Sequence, residues 1–337
     1  MQSDGISQPI GRLTKINALV NIRKATVNEM KGQILNALRE CRGYLSGQKL
    51  SEQLGTSRVS IWKHVRSLKK DGYVIEASPR GYRLVSSPDL LLPYEFPDLE
   101  QRIHYFSQIS STMDAARELA KKGAGEGTLV IAEVQTRGRG RLSRDWLSSQ
   151  GGIYFTIILR PKISPVYAPR VNLMAAIAVA ATIRKEYGLK AELKWPNDVL
   201  IAGRKVCGIL AEMDAEMDVV NFVNVGIGIN ANNSVTRFEK MATSLRDALG
   251  RQIHRKEFLS LLIVEIERRQ PLLMKAELLK EWKRLSATLN KEVRVMSLGE
   301  EVIGQAIDID VTGALILKGK NSSLRSVLVG DCVHLRE

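Results

Sequence analysis

The sequence predicts an α+β protein that consists of a small helical domain, a larger mixed α/β domain and a terminal β module. Three patterns support this prediction. Apolar residues recur at helical spacing between residues 28 and 71. Short apolar runs alternate with helical patterns between residues 102 and 288, and short alternating strands fill 291–337. A chain of 337 residues is long enough for two or three such domains.

Composition and cysteine usage indicate a globular protein of a reducing compartment. The chain is 44% apolar and 26% charged. No basic start followed by an apolar segment occurs, and the longest near-apolar run, Val171 to Ile183, is too short to span a bilayer. Cys41, Cys207 and Cys332 lie far apart, and the four histidines are scattered, so no disulfide framework or metal cluster is visible. These features predict a cytoplasmic protein without a membrane partner.

The positive charge is concentrated near the N-terminus. The formal net charge is +14, and residues 1–90 hold 15 Lys and Arg against 7 Asp and Glu, an excess of 8. Such a local excess is typical of a domain that binds a polyanion, although a basic soluble surface is the alternative. Residues 1–27 are expected to form a poorly ordered or partly helical extension to which we assign no role.

Residues 28–86 show the pattern of a winged helix-turn-helix. Apolar residues at 34–38 indicate a first helix, a second is expected over 46–55, and a third from Thr56 or Ser57 to about Asp71. Two short strands over 73–85 then form a hairpin in the position of a wing. Residues 87–101 are rich in proline and turns, which predicts a linker.

The third predicted helix leaves polar groups off its apolar stripe, where they can reach phosphates and base edges in a major groove. With the basic excess, this predicts DNA binding, and a helix pair that contacts proteins is the alternative. The predicted DNA-binding residues are Gly47, Ser57, Arg58, Ser60, Trp62, Lys63, Arg66, Arg80 and Arg83.

The stretch from Arg137 to Trp146 reads R-G-R-G-R-L-S-R-D-W, and we call it the arginine loop. It lies between two predicted strands, 129–134 and 151–159. Glycines let the main chain approach a ligand closely, and the planar fork of arginine suits carboxylate or phosphate oxygens. The stretch therefore predicts a loop that closes over an anion, with a solvated basic loop as the alternative.

Nucleotide-binding motifs of the common kinds are not found. The segment Gly226-Ile-Gly228-Ile-Asn230 lacks the third glycine of a dinucleotide motif and does not open into a helix. The sequence also contains no G-x-x-x-x-G-K-[ST] phosphate loop. If a nucleotide binds, it binds by another route. Ser111 and Thr112 begin a predicted helix, where hydroxyls are more often caps than ligand contacts.

Four motifs taken together resemble the bifunctional biotin protein ligase / biotin operon repressor family over about residues 30–337. They are Ser111-Thr112, Gln135 with Gly138-Arg-Gly-Arg141 and Trp146, Lys194-Trp-Pro-Asn-Asp198, and Arg204-Lys205 with Gly208. The resemblance implies a winged helix-turn-helix (28–86), a central mixed α/β ligase domain with a class II synthetase-like sheet (102–288) and a C-terminal SH3-like β-barrel (289–337).

The implied activity has two steps. Biotin and ATP form biotinyl-5′-adenylate and pyrophosphate, and a lysine of a biotin carboxyl carrier protein then accepts the biotinyl group. The family also represses biotin genes, as a homodimer that binds operator DNA when the adenylate is bound. The substrates are thus biotin and ATP, with Mg2+ as the expected metal.

The resemblance also assigns residue roles. Arg139, Arg141 and Lys205 are the expected catalytic cations, because a carboxylate and a triphosphate must be neutralised together. The expected biotin-binding residues are Ser111, Thr112, Met113, Gln135, Arg139, Gly140, Arg141, Lys205 and Gly208. The expected ATP- or adenylate-binding residues are Arg141, Arg144, Trp146, Lys194, Asn197 and Asn230. Trp146 supports the adenine or is a core aromatic, and Asn197-Asp198 either serve Mg2+ and the incoming lysine or form a strand-capping turn.

Two positions depart from the family pattern. Met113 stands where many relatives have asparagine, so we expect it to act through its backbone or packing. Ser143 replaces a loop glycine, which is expected to stiffen the loop and slow its opening. Three rival functions stay open: a transcription factor that only senses a ligand, a ligase for lipoate or another acid, and a ligase whose winged helix is vestigial.

Overall fold

The structure is a computed structural model that describes residues 28–235, 239, 241–297 and 299–335, without the side chain of Ser143. It divides into two compact units, Met1–Gln101 and Arg102–Glu337. The predicted extension, residues 1–27, lies outside the described residues.

From residue 28 onward, where the structure describes it, the first unit contains three α-helices followed by a β-hairpin. Its elements are α1 (28–40), α2 (Gly47–Gln53), α3 (Arg58–Lys70), β1 (Val74–Ser78) and β2 (Gly81–Ser86). Ser46 and Ser57 precede α2 and α3, and their side chains accept hydrogen bonds from the amides of Lys49 and Ser60. The two serines therefore start the two helices, because they satisfy amides that would otherwise lack a partner. The arrangement is the winged helix-turn-helix that the sequence predicted.

Residues 87–101, which the sequence predicted to be a linker, contain several buried apolar side chains. Leu91, Tyr94 and Phe96 are buried, and the Tyr94 hydroxyl donates a hydrogen bond of 2.8 Å to Asp71. The segment belongs to the first compact unit. Burial of the apolar residues between the prolines attaches this segment to the first unit, and its role as a linker between domains stays a prediction.

The second unit is built on a mixed sheet of seven strands. The strands are β3 (Ile103–Ile109), β4 (Leu129–Gln135), β5 (Ile153–Leu159), β6 (Ala191–Lys194), β7 (Asp198–Ile201), β8 (Arg204–Glu216) and β9 (Val219–Ile229). Their order in the sheet is β3-β4-β5-β9-β8-β7-β6. Only the β3–β4 pair is parallel, and the other neighbours are antiparallel.

In the described part of the second unit, the α-helices that accompany this sheet are α4 (Thr112–Lys121), α5 (Pro169–Tyr187), α6 (Leu245–Leu249), α7 (Arg255–Arg269) and α8 (Ala276–Leu285). α5 begins at Pro169, which suits the first turn of a helix. Among the described residues, the helical stretch Pro165–Tyr187 is the one long and apolar enough to cross a membrane, and 67% of its apolar window is buried in the fold. The predicted run Val171 to Ile183 covered only part of it.

The chain ends in a five-stranded antiparallel sheet, which we call the β module. Its strands are β10 (Glu292–Ser297), β11 (Glu300–Ile309), β12 (Leu315–Lys318), β13 (Leu324–Val327) and β14 (Asp331–His334), in the order β13-β12-β11-β10-β14. The Trp195 indole donates to the Gly313 carbonyl at 3.1 Å, and Arg170 donates to the Val311 carbonyl at 3.0 Å. The module is therefore hydrogen-bonded to the rest of the second unit.

Candidate active site

A cavity of about 830 Å³ lies over one face of the central sheet. Its walls come from the start of α4, the arginine loop, strands β8 and β9, and strand β14 of the β module. The arginine loop joins β4 to β5, which are antiparallel neighbours in the sheet. Both ends of the loop are therefore held by the sheet, as the sequence predicted.

The amino end of α4 presents a hydroxyl that has no partner. The Ser111 side chain is 1% exposed, makes no capping bond, and its Oγ lacks a hydrogen-bond partner among the described residues. Next to it, the amide and hydroxyl of Thr112 both donate to Gln135 Oε1, at 2.8 and 3.1 Å. Gln135 Nε2 in turn donates to Ser148 Oγ at 2.8 Å. Gln135 is thus oriented by the protein, whereas the Ser111 hydroxyl is a buried polar group without a bonded neighbour in the described part of the chain.

Two glycines form the floor of the cavity beneath Trp146. Gly208 and Gly228 are cross-strand partners on β8 and β9. A Cβ added at Gly228 would lie 2.3 Å from Trp146 Nε1, and one added at Gly208 would lie 2.9 Å from the same ring. The half-buried indole therefore sits directly on backbone that only glycine leaves open. Its Nε1 has no hydrogen-bond partner among the described residues.

Lys205 is held between a carboxylate and the same indole. Its Nζ lies 2.7 Å from Asp198 Oδ1 and 5.2 Å from the centre of the Trp146 ring. The pairing follows from topology, because Asp198 starts β7 and Lys205 lies on its neighbour β8. A cation over an aromatic face is attracted by the ring quadrupole, which favours this placement.

Arg139 is bound by two carboxylates. Its Nη2 lies 2.8 Å from Asp114 Oδ1 on α4, and its Nη1 lies 3.2 Å from Glu212 Oε1 on β8. Glu212 also forms an ion pair with Arg117 of α4. These contacts place the first half of the arginine loop at the start of α4.

Arg141 contacts the turn between β6 and β7. Its Nη1 donates to Asn197 Oδ1 at 3.3 Å, and burial lowers the pKa of its guanidinium from the usual value. Asn197 also donates to the Ile209 carbonyl at 2.8 Å and accepts from the Ile209 amide at 3.0 Å. Asn197 therefore closes a turn against β8, as one of the two predicted alternatives has it, and it also supports Arg141; its role toward Mg2+ or the incoming lysine stays a prediction.

Arg144 reaches the β module. Its Nη1 donates to Asp331 Oδ1 at 3.2 Å, and its Nη2 pairs with Asp331 Oδ2. The hydrogen bond to Arg144 is the main reason that the pKa of Asp331 is below its usual value. Sequence reasoning missed Asp331, because a single carboxylate in a short strand carries no motif.

His334 of β14 also lines the cavity and was likewise missed. Its Nε2 lies 3.0 Å from Thr288 Oγ1, and that oxygen accepts a hydrogen bond of 3.0 Å from the Trp195 amide. Since the Thr288 oxygen already accepts there, its proton is free to point at the ring nitrogen. Burial, together with the nearby cations Lys194 and Lys291, lowers the pKa of His334 to about 4.

All residues that the sequence assigned to biotin, ATP or metal line this one cavity. Met113 is buried, and its Sδ would lie 2.6 Å from a Cβ added at Gly226, so its side chain packs on β9. Asn230 is buried and accepts a hydrogen bond from Asn233 at 3.3 Å. Gly140 donates its amide to the Arg144 carbonyl at 2.7 Å, which folds the arginine loop back on itself.

The first unit carries a separate cationic surface on α3. Arg58, Trp62, Lys63 and Arg66 are all exposed. The Arg66 guanidinium lies 5.5 Å from the centre of the Trp62 ring, one helical turn earlier. Of the predicted DNA-binding residues, these four therefore share one face.

The wing is less cationic than the sequence suggested. Arg83 donates to Glu76 Oε2 at 2.8 Å, and the Tyr44 hydroxyl donates to the same oxygen at 2.7 Å. Arg80 lies in the turn of the hairpin, 5.9 Å from the centre of the Tyr44 ring. Arg83 is thus partly neutralised by a neighbour that sequence reasoning did not identify, and Arg80 is the wing cation left to face outward.

Comparison with known proteins decides the family. The chain is 39% identical over 305 residues to the bifunctional ligase/repressor BirA of Bacillus subtilis, covering 86% of this chain and 93% of that protein. The chain belongs to the family of bifunctional biotin ligase/repressors. Within this family, it is 30% identical over 286 residues to BirA of Escherichia coli, covering 81% of this chain and 88% of that one.

Family profiles match three consecutive parts of this ligase/repressor. They are an HTH domain at 31–83, the biotin/lipoate A/B protein ligase family at 105–230, and the biotin protein ligase C terminal domain at 288–335. Among solved structures, the biotin protein ligase of Aquifex aeolicus in complex with biotin and ATP has a TM-score of 0.61 and 26% identity, covering 70% of this chain and 99% of that one. The predicted family and fold class are confirmed.

Proposed function

We propose that the chain forms biotinyl-5′-adenylate from biotin and ATP, transfers the biotinyl group to a lysine of a biotin carboxyl carrier protein, and represses biotin genes by binding operator DNA. One observation carries the proposal. A single cavity gathers every residue assigned to biotin, ATP or metal, in a chain that also contains a winged helix-turn-helix.

The start of α4 suits the ureido ring of biotin. A ureido group offers one carbonyl acceptor and two N–H donors, and the Ser111 hydroxyl is buried and unpaired among the described residues. An unpaired buried polar group costs about 1–3 kcal/mol, so a ligand that bonds Ser111 relieves that cost. Thr112 and Gln135 hold the neighbouring polar atoms in a fixed orientation.

Adenylation brings two anions together. An oxygen of the biotin carboxylate attacks the α-phosphorus of ATP, a new P–O bond forms, and pyrophosphate leaves. Arg139, Arg141 and Lys205 line the cavity and are the cations that would stabilise the charge in the transition state. Lys205 is paired with Asp198. Substrate binding would therefore either turn the Lys205 ammonium toward the substrate or engage Lys205 and Asp198 together. Trp146 and the glycines beneath it offer an apolar surface for a ring of the ligand.

The donor set fits a Mg2+ ion that arrives with ATP. Among the described residues, no group of three or more His, Cys, Asp or Glu side chains could hold a metal ion. Mg2+ is commonly bound through one or two carboxylates together with substrate phosphates. Asp198 would supply the carboxylate, and the ion would offset phosphate charge when bound.

Transfer follows from the same cavity. The acceptor lysine attacks the acyl carbon of the adenylate, an amide forms and AMP leaves with the electron pair. The mixed anhydride must be kept from water until then, which is the task that we assign to the closed arginine loop.

The first unit would bind the operator, with Arg58, Lys63 and Arg66 near phosphates and base edges. The adenylate-bound chain would act as a homodimer in the cytoplasm. We also propose a division into a DNA-binding domain at 28–86, with 87–101 packed on it, a catalytic domain at 102–288 and a C-terminal domain at 289–337.

ATP–pyrophosphate exchange tests the ligase directly. Pure protein with Mg2+ should catalyse exchange when biotin is added, and neither lipoate nor a panel of other acids should replace biotin. Lys205→Ala, assayed in parallel, shows that the exchange belongs to this cavity. Absence of exchange with biotin would rule out the ligase and favour a transcription factor that senses a ligand, whereas exchange driven by another acid would identify the true substrate.

A further inference from the structure

The arginine loop is bonded to the β module through one ion pair. Arg144 and Asp331 are 187 residues apart in the sequence, yet both oxygens of the carboxylate contact the guanidinium. Asp331 also lies near Lys194 and Arg141, since both cations contribute to the lowering of its pKa. A carboxylate of the module therefore stands among cations at the edge of the cavity.

The two partners differ in how firmly they are held. Asp331 begins β14, which pairs with β10 from Val293 to Met296. The same strand is joined through His334 and Thr288 to the Trp195 amide. Arg144 instead lies in a loop that contains Gly140 and a residue of positive φ, Leu142 at 54°, and its side chain is 62% exposed. The carboxylate is thus anchored by the fold, and the arginine is carried by the more deformable segment.

We propose that Asp331 is a positioning residue for the ligase reaction: it holds Arg144 and thereby keeps the arginine loop folded across the cavity while the adenylate is bound. The proposal rests on the proposed ligase function. Under this proposal, the β module contributes a residue that helps to retain the bound adenylate. This positioning role also accounts for the contact of Arg144 with the module.

A purely electrostatic role for Asp331 predicts a change in the rate of adenylate release that is opposite in direction to the change predicted by the positioning role. A negative carboxylate close to a bound triphosphate repels it, so its removal would tighten ATP binding and slow release of the adenylate. Under the positioning role, removal of Asp331 frees Arg144, the loop opens more often, and the adenylate leaves faster. The direction of the change therefore separates the two roles.

The experiment measures release of preformed biotinyl-5′-adenylate from the full-length protein after a chase with excess unlabelled biotin and ATP. Four proteins form a double-mutant cycle: wild type, Asp331→Asn, Arg144→Gln and the double variant. Because partly exposed ion pairs contribute little, Asp331→Asn should speed release by about two- to fivefold. It should add nothing further in the Arg144→Gln background, since the pair is already broken there. Asp331→Glu, which keeps the charge, should restore slow release at least in part.

A matched control is available in the same module. Lys283 of α8 and Asp308 of β11 form an ion pair of 2.6 Å that also links the module to the helical part of the unit, away from the cavity. Asp308→Asn should leave release and exchange unchanged. Trypsin cleavage within the arginine loop gives a second readout in the absence of ligand, and Asp331→Asn should accelerate it.

Any of three release results would overturn the proposal: slower release in Asp331→Asn, a further independent effect of Asp331→Asn in the Arg144→Gln background, or an equal effect of Asp308→Asn. Loop cleavage at the wild-type rate in a folded Asp331→Asn protein would also overturn it. Failure of the proposed ligase function can be distinguished from these results, because the wild-type protein would then show no biotin-dependent ATP–pyrophosphate exchange at all.

Discussion

Ser111→Ala is expected to change protein stability and biotin affinity in opposite directions. The Ser111 hydroxyl is buried and unbonded among the described residues. Its removal takes away a buried polar group without breaking a hydrogen bond. Since such an unpaired group costs about 1–3 kcal/mol, the free energy of unfolding should stay level or rise by up to about that amount.

Biotin binding should respond the other way. If the ureido ring bonds this hydroxyl, the variant loses one hydrogen bond of about 0.5–1.5 kcal/mol, which is roughly a 2- to 13-fold rise in Kd. Titration calorimetry gives the affinity, and urea unfolding in the absence of ligand gives the stability. A matched control is Thr182→Val, because the Thr182 hydroxyl is buried in α5 and donates to the Ala178 carbonyl at 2.9 Å. That variant should lose stability and keep its biotin affinity.

A stability loss in Ser111→Ala comparable to that of Thr182→Val would show that the Ser111 hydroxyl is bonded in the free protein, contrary to this prediction. Unchanged biotin affinity in a folded Ser111→Ala protein would separately remove Ser111 from the biotin site.

Four further changes have defined expectations. Lys205→Ala should lower the rate of biotin-dependent exchange by about 2–4 kcal/mol of barrier, as expected for a lost charge donor, and a near-normal rate would remove Lys205 from the catalytic set. Gly228→Ala should weaken ligand binding, because the new Cβ would meet Trp146 Nε1 at 2.3 Å; a normal Kd by calorimetry would show that the indole moves at no cost. Arg66→Ala should weaken operator binding and flatten its salt dependence in a gel shift while exchange stays normal, and equal losses in both assays would indicate misfolding. The pKa of His334 is lowered to about 4 in the folded protein, so folding favours its neutral form. The contribution of His334 to the free energy of unfolding should therefore be fully present above about pH 6.5 and should decline as the pH falls toward 4. Urea unfolding over this pH range should show a shallower decline for His334→Gln than for the wild type.

The composition of the candidate site could be predicted from the sequence because its residues lie in short motifs at the ends of strands. The strands flanking the arginine loop pair as neighbours, so the loop had to lie over the sheet that also carries Gly208 and Lys205. The partners of each side chain could not be predicted in the same way. That Arg139 faces Asp114 and Glu212 depends on the angle at which α4 packs on the sheet, which no local pattern encodes.

Long-range contributions were missed for a physical reason. Asp331 and His334 reach the cavity because the β module is hydrogen-bonded to the central part through Trp195 and Arg170. Those bonds join residues more than a hundred positions apart, and neither end looks unusual in the sequence. In residues 87–101, a different effect operates. Proline-rich segments favour open loops, but here the burial of Leu91 and Phe96 outweighs that preference.

We propose that an adenylate made in the cavity controls the binding of DNA by the winged helix-turn-helix. The most direct measurement is a gel shift of the DNA upstream of biotin genes, carried out with the protein alone, with biotin and ATP together, and with Lys205→Ala under both conditions. We predict that biotin and ATP strengthen the wild-type shift and leave the Lys205→Ala shift unchanged. A wild-type shift that does not respond to biotin and ATP, or a Lys205→Ala shift that responds fully, would contradict the account.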